Sequence, residues 1–193
     1  MRAFVSVDVE DSQIIQRIQE VQSQITEPGV RFVNPSIIHL TLKFLGEIAP
    51  EKVEQIEKAL IQTASRFPPF EISFVGFGVF PKLSRPRVVW IGVEKEGSED
   101  QLKALAAAVD RSLQSIGFPR EKRPFSSHLT IGRVKFAKSG LRKQLQSLTQ
   151  ELAMTKLGKM VVEEVRFKKS TLTPKGPIYE TLVAAPLAFT GTS

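Results

Sequence analysis

A chain of 193 residues that is 41% hydrophobic and 24% charged can bury one sizeable core or two small, tightly joined lobes, which excludes general disorder. It contains no cysteine, so disulfides, thiolate nucleophiles and cysteine-built zinc sites are excluded together. A net charge of +7 favours polyanionic partners, because each neutralised phosphate releases condensed counterions.

The chain opens on the alternating run Arg2-Ala3-Phe4-Val5-Ser6-Val7-Asp8, which reads as a strand. Asp8, Glu10 and Asp11 follow at once. No signal peptide or membrane span is expected there, and a cytoplasmic location is. Residues 11–25 place Ile14, Ile15, Ile18, Val21, Gln22 and Ile25 at helical spacing behind Asp11 or Ser12 as cap. Residues 37–45 read as a strand. Residues 50–64 read as a helix with Val53, Ile56, Leu60 and Ile61 on its apolar face. Strands are expected at 70–77 and 88–93, with a proline- and arginine-rich turn at 81–86.

The second half mixes elements in the same way. Residues 98–116 form a helix with Leu102, Leu105, Val109 and Leu113 inward, 128–134 a strand, and 141–152 a helix. Strands follow at 161–169 and 178–185, joined by a hairpin turn at 174–177. The β–α–β spacing is too irregular for a doubly wound parallel sheet. An α+β protein with largely antiparallel sheets is expected.

One short pattern occurs twice. His39-Leu40-Thr41-Leu42 and His128-Leu129-Thr130-Ile131 are both His-x-Thr-x with apolar x, and they use both histidines of the chain. A single such motif arises easily by chance, whereas two in like strand contexts, one per half, do not. In a strand, alternate side chains share a face. Leu40, Leu42 and Phe44 then pack on one side and His39 and Thr41 on the other; Leu129 and Ile131 oppose His128 and Thr130 likewise. If the halves pack about a pseudo-twofold axis, two imidazoles and two hydroxyls face each other across a groove. Phosphodiester hydrolysis needs such a set. One imidazole takes a proton from water, the other protonates the departing oxygen, and hydroxyls stabilise the charge on the non-bridging oxygens. No metal or other cofactor is expected, because two histidines without clustered carboxylates make a poor zinc shell.

These blocks resemble the two-histidine (2H) phosphoesterase superfamily, and within it the RNA 2′,3′-cyclic phosphodiesterases, also called LigT-like or 2′-5′ RNA ligase family proteins. The resemblance runs from Arg2–Asp8 through His39–Gly46, Gly78–Pro81 and Val88–Val93 to Phe125–Arg133 and Ser170–Tyr179. It implies a single domain over 1–193 with two pseudo-symmetric lobes, each an antiparallel sheet with helices outside, and an active-site groove between them. It implies hydrolysis of a 2′,3′-cyclic phosphate to a 2′-phosphomonoester. His39 would donate the proton to the leaving oxygen, His128 would accept one from water, and Thr41, Thr130 and Arg133 would hold the phosphate. Many members carry proline before the second histidine, where this chain has Ser127; no reacting group is lost. Simple alternation turns Arg133 away from His128 unless a bulge at Gly132 restores it.

The expected partner is RNA ending in a 2′,3′-cyclic phosphate, tRNA fragments included, met by a monomer that binds no membrane. Arg85, Arg87, Arg120, Lys122 and Arg123 in expected loops, with Lys168 and Lys169 near a strand end, are candidate backbone contacts. Phe80, Trp90, Phe118 and Phe125 are candidate base-stacking groups. Lys43 has the parity of the groove face. Two other readings stand beside hydrolysis: a 2′-5′ RNA ligase using the same histidines in reverse, and a non-catalytic RNA-binding module.

Overall fold

The structure, a computed structural model, describes residues 1–174 and 176–188. The described residues form nine strands and four helices. In chain order they are β1 (Arg2–Asp8), α1 (Ser12–Ser23), β2 (Val30–Phe32), β3 (His39–Glu47), α2 (Val53–Ala64), β4 (Phe70–Lys82) and β5 (Arg85–Val93). Then come α3 (Ser98–Gln114), β6 (His128–Val134), α4 (Ser139–Glu151), β7 (Lys156–Val162), β8 (Glu164–Thr173) and β9 (Gly176–Pro186). The fold class is α+β, as the mixed elements indicate.

Most elements lie where the periodicity sets them. Asp11, rather than Ser12, caps α1: its carboxylate accepts from the backbone N–H groups of Gln13 and Ile14. Such a cap is worth about 1 kcal/mol. Ile14, Ile18 and Val21 turn inward from this helix, and the buried Gln22 amide donates to the carbonyls of Val33 and Ile131. Four boundaries differ from the sequence reading. The stretch at 161–169 is two strands, β7 and β8, broken at Glu163 without a glycine or proline to mark it. Strand β2, three residues long, is too short to show a period. The turn at 81–86 shrinks to Leu83 and Ser84, because β4 and β5 extend through both prolines, which pair at the hairpin tip. Residues 35–37 and 50–52 are 3-10 turns preceding β3 and α2. The hairpin turn at 174–177 includes Lys175, which lies outside the described residues.

The sheet is antiparallel, with strand order β7-β4-β5-β6-β3-β1-β8-β9 and β2 added against β6. Each half of that order contains one histidine strand, and the halves join through a single pair, Leu40 with Leu129. Only Glu163 separates β7 from β8, although β7 is first in the order and β8 seventh. The sheet must therefore curl enough to bring the end of β7 to the start of β8. The helices pack their apolar faces against the other side. Phe74, Phe167, Leu40 and Ile91 are fully buried in that layer. Each such side chain contributes about 1.5–3 kcal/mol of burial free energy.

Candidate active site

The two motif strands share an irregularity that places the site. In β3, Lys43 pairs with Val5 and Thr41 with Ser6, so Leu42 is an extra, unpaired residue. In β6, Gly132 pairs with Val89 and Thr130 with Trp90, so Ile131 is extra. Both bulges fall three residues after the histidine. A bulge resets the alternation of side chains. Residue five after each histidine is thereby brought round to the histidine face: Arg133 in β6, as the sequence condition on Gly132 requires, and Phe44 in β3. Phe44 is 64% exposed, so it does not pack with Leu40 and Leu42 as strict alternation has it. Position four turns inward in both halves. There Gly132 leaves room for β2, since a Cβ would stand 2.7 Å from Val30 Cγ1. Lys43, which by parity belonged to the groove, is 3% exposed and pairs instead with Asp110 of α3 at 2.5 Å, donating also to the Pro119 carbonyl.

The Leu40–Leu129 pair fixes how the motifs meet. Continuing its antiparallel register by one residue sets Thr130 opposite His39 and Thr41 opposite His128. Each imidazole thus faces the hydroxyl of the other motif. All four side chains lie on the face opposite the buried Leu40 and Leu129. Among the described residues, neither threonine hydroxyl has a hydrogen-bond partner of its own.

Both histidines are oriented alike. His39 Nδ1 lies 2.8 Å from the Ile37 carbonyl, and His128 Nδ1 lies 2.8 Å from the Ser126 carbonyl. A carbonyl only accepts, so Nδ1 carries the proton in each ring and Nε2 is left for chemistry in the groove. The rings are held between aromatic groups. Phe4 stacks on His39 at 4.8 Å, and the Tyr179 ring meets it edge-on at 5.2 Å. The Phe80 ring meets His128 edge-on at 5.0 Å and lies 5.0 Å from Trp90. Burial pushes both imidazoles below the ordinary histidine value, against the upward pull of the carbonyl bonds. At His39 the nearby Asp8 carboxylate also pulls upward, while Lys168 and Arg133 push down.

Asp8 stands beside His39 in the β1–β3 pairing. Burial pushes its carboxyl up, but hydrogen bonds from Lys168, Ser6 and Arg166 outweigh this and keep it ionised. Lys168 is buried, bonded to Asp8 and 5.9 Å from the centre of the Tyr179 ring. It is therefore a mid-strand groove residue rather than a strand-end surface lysine. Arg133 is exposed yet close enough to bear electrostatically on both His39 and Tyr179. The sequence reading missed Asp8, Phe4 and Tyr179. The polar parity of Ser6 and Asp8 in an otherwise buried strand was the available signal for Asp8. Tyr179 joins the site only through the long-range pairing of β8 with β1.

The other expected contacts divide. Phe80 borders His128 and Trp90 lies behind Phe80, whereas Phe118 and Phe125 pack partly buried against the core. Arg120 lies 3.6 Å from Asp110 and Lys169 lies 3.1 Å from Glu180, so each has an acidic neighbour. Arg85 and Arg87 are strand residues of β5 rather than loop residues, and Lys122 and Arg123 are exposed in the loop before β6. Among the described residues, no group of three or more histidine, aspartate or glutamate side chains is arranged to hold a metal ion.

A groove that presents two Nε2 atoms and two unpaired hydroxyls across a pseudo-twofold axis is that of a phosphoesterase, a hydrolase of phosphodiester bonds. Residues 7–90 and 92–179 match the family described as LigT like Phosphoesterase, one histidine falling in each segment. The RNA 2′,3′-cyclic phosphodiesterase of Archaeoglobus fulgidus is 43% identical over 183 residues, 94% of this chain and 98% of that protein. The protein of the same name from Methanothermobacter thermautotrophicus is 39% identical over 181 residues, 93% of this chain and 95% of that one. Among solved structures, TT0787 of Thermus thermophilus is similar at a TM-score of 0.77 and 27% identity, covering 98% of this chain and 100% of its own. Escherichia coli LigT complexed with 3′-AMP is similar at 0.72 and 26% identity, covering 96% and 97%. The chain belongs to the LigT-like phosphoesterase family.

Proposed function

We propose that this protein is an RNA 2′,3′-cyclic phosphodiesterase that works without a metal, through His39 and His128, as one two-lobed domain. The observation that carries the reading is the matched pair of Nδ1–carbonyl bonds, which leaves both Nε2 atoms free on one groove face. His128 Nε2 takes a proton from water as the water oxygen bonds to phosphorus. The P–O3′ bond breaks, and His39 Nε2 gives its proton to O3′, leaving a 2′-phosphate. His39 takes the donor role by its motif position; at its ring the Asp8 carboxylate favours the protonated form and Lys168 and Arg133 oppose it. Thr41, Thr130 and Arg133 hold the phosphate oxygens, the threonines through hydroxyls that no neighbour occupies.

The matches to proteins named RNA 2′,3′-cyclic phosphodiesterase support RNA as the substrate class. A ligase would make the same proton transfers in the same sense, with a 5′-hydroxyl in place of water: its oxygen bonds to phosphorus, the P–O3′ bond breaks, and a 2′-5′ bond results. Incubating cyclic-phosphate-ended oligonucleotides with and without a 5′-hydroxyl partner tests the choice. The expected product is the 2′-phosphate under both conditions. A 2′-5′-joined product in excess would assign ligation instead.

A further inference from the structure

Beyond the groove, the sheet ends in a concave surface of unusual charge. A cavity of about 220 Å³ opens where β5 begins and β6 ends, and Arg85, Arg87, Lys135, Arg142 and Phe136 line it. No carboxylate borders it, although the chain has 20 acidic residues to place. Elsewhere some surface cations have an acidic partner: Arg120 with Asp110, Lys159 with Glu71, Lys169 with Glu180. Among the described residues, none of the four cations of the cavity has an acidic partner. Arg142 is fixed by a bond from its guanidinium to the Ala137 carbonyl at 3.1 Å. Four like charges converging on a concavity repel one another, and an anion with several negative centres relieves that repulsion. Phe136, 52% exposed beside them, offers a ring face.

Along the chain the cavity residues adjoin the site. Arg133 pairs with Val88, so Arg87 is the next residue along β5, and Lys135 comes two residues after Arg133, just past the end of β6. Two residues of rise is roughly 6.6 Å. We propose that this cleft holds the ribose–phosphate backbone of single-stranded RNA upstream of the end bound at the histidines, with Phe136 stacking a base. The proposal rests on the cyclic phosphodiesterase reading for the position of that end. Cations that track phosphates beside an aromatic ring are the general means of gripping a single strand without reading its sequence.

The test is a salt titration of binding, by fluorescence anisotropy of a 5′-labelled single-stranded oligonucleotide ending in a 2′-phosphate. It compares the wild type, an Arg85→Gln/Arg87→Gln variant, and an Arg17→Gln/Lys58→Gln variant that loses the same charge from exposed positions on α1 and α2. Losing two phosphate contacts should make the log–log slope shallower by about 1.4, at about 0.7 per contact on a single strand. The α1/α2 variant should keep the wild-type slope. Turnover of a nucleoside 2′,3′-cyclic phosphate by the Arg85/Arg87 variant should be unchanged, which also reports that it is folded. An unchanged slope in that variant, or equal flattening in the α1/α2 variant, would overturn the cleft. So would polyglutamate binding that competes better than RNA and is lost with Arg85 and Arg87, because the cleft would then suit an acidic protein segment. If the wild type failed to turn over the cyclic nucleotide, the activity reading would fall, and the anisotropy slopes would still decide the cleft.

Discussion

At the scale of single residues, the two histidines are alike in orientation and unlike in surroundings. Each donates from Nδ1 to the carbonyl two residues back, so the tautomer is set by the strand itself. Burial holds both below the ordinary value of about 6.5. One ring must be protonated and the other neutral, and the fraction in that state peaks between the two pKa values. The profile of kcat/KM, which reports the free enzyme, should therefore be bell-shaped with its maximum on the acid side of 6.5. An optimum well above neutrality would show that other groups carry the protons. The threonines make a separate prediction. Thr41→Val keeps the side-chain shape and removes the donor, and it should lower turnover by up to about 10²–10³-fold with little change in melting temperature. A large loss of stability with turnover per folded molecule intact would make that hydroxyl structural. His39, Thr41, His128 and Thr130 were legible because alternation along a strand is local. Asp8 and Tyr179 were not, because which strands lie beside β3 is decided by pairings far apart in sequence.

At the scale of elements, the bulges decide what local alternation cannot. Strict parity puts Lys43 in the groove and Phe44 in the core, and the extra residue Leu42 exchanges them. The same insertion at Ile131 returns Arg133 to the groove. Only the glycine at 132 hinted at one of the two bulges. Lys43 consequently has a structural role that the sequence hid. It pairs with Asp110, a carboxylate that burial pushes up and the Lys43 hydrogen bond pulls down further. Lys43→Met should destabilise the protein by about 3 kcal/mol, the lower end for breaking a buried pair, because Arg120 and the Glu121 N–H still serve Asp110. Denaturant unfolding measures this, and turnover of the folded variant should match the wild type. Lost turnover with unchanged stability would instead place Lys43 at the substrate. Helices and long strands were legible from their periods. The break between β7 and β8 was not, since Val161-Val162-Glu163-Glu164 holds no glycine or proline to mark it.

At the scale of the whole molecule, a curled sheet makes one site from two half-sites. Each half brings one histidine, one threonine and one bulge, and the halves share a single residue pair at the axis. The repeated motif announced this arrangement, but not that the halves would form one continuous open sheet whose two ends are linked by a one-residue connection. The symmetry is broken where the chemistry requires it: Arg133 stands where the other half has Phe44, and Asp8 stands beside His39 where Gly92 stands beside His128. The central claim is that this symmetric pair hydrolyses a cyclic phosphate without a metal. Its most direct test is turnover of a nucleoside 2′,3′-cyclic phosphate in excess chelator, by the wild type and by His39→Ala and His128→Ala side by side. The account predicts full wild-type activity giving the 2′-phosphate, and at least about a 10²-fold loss in each variant. Activity abolished by chelator and restored by a divalent cation, or a His128→Ala protein as active as the wild type, would contradict it.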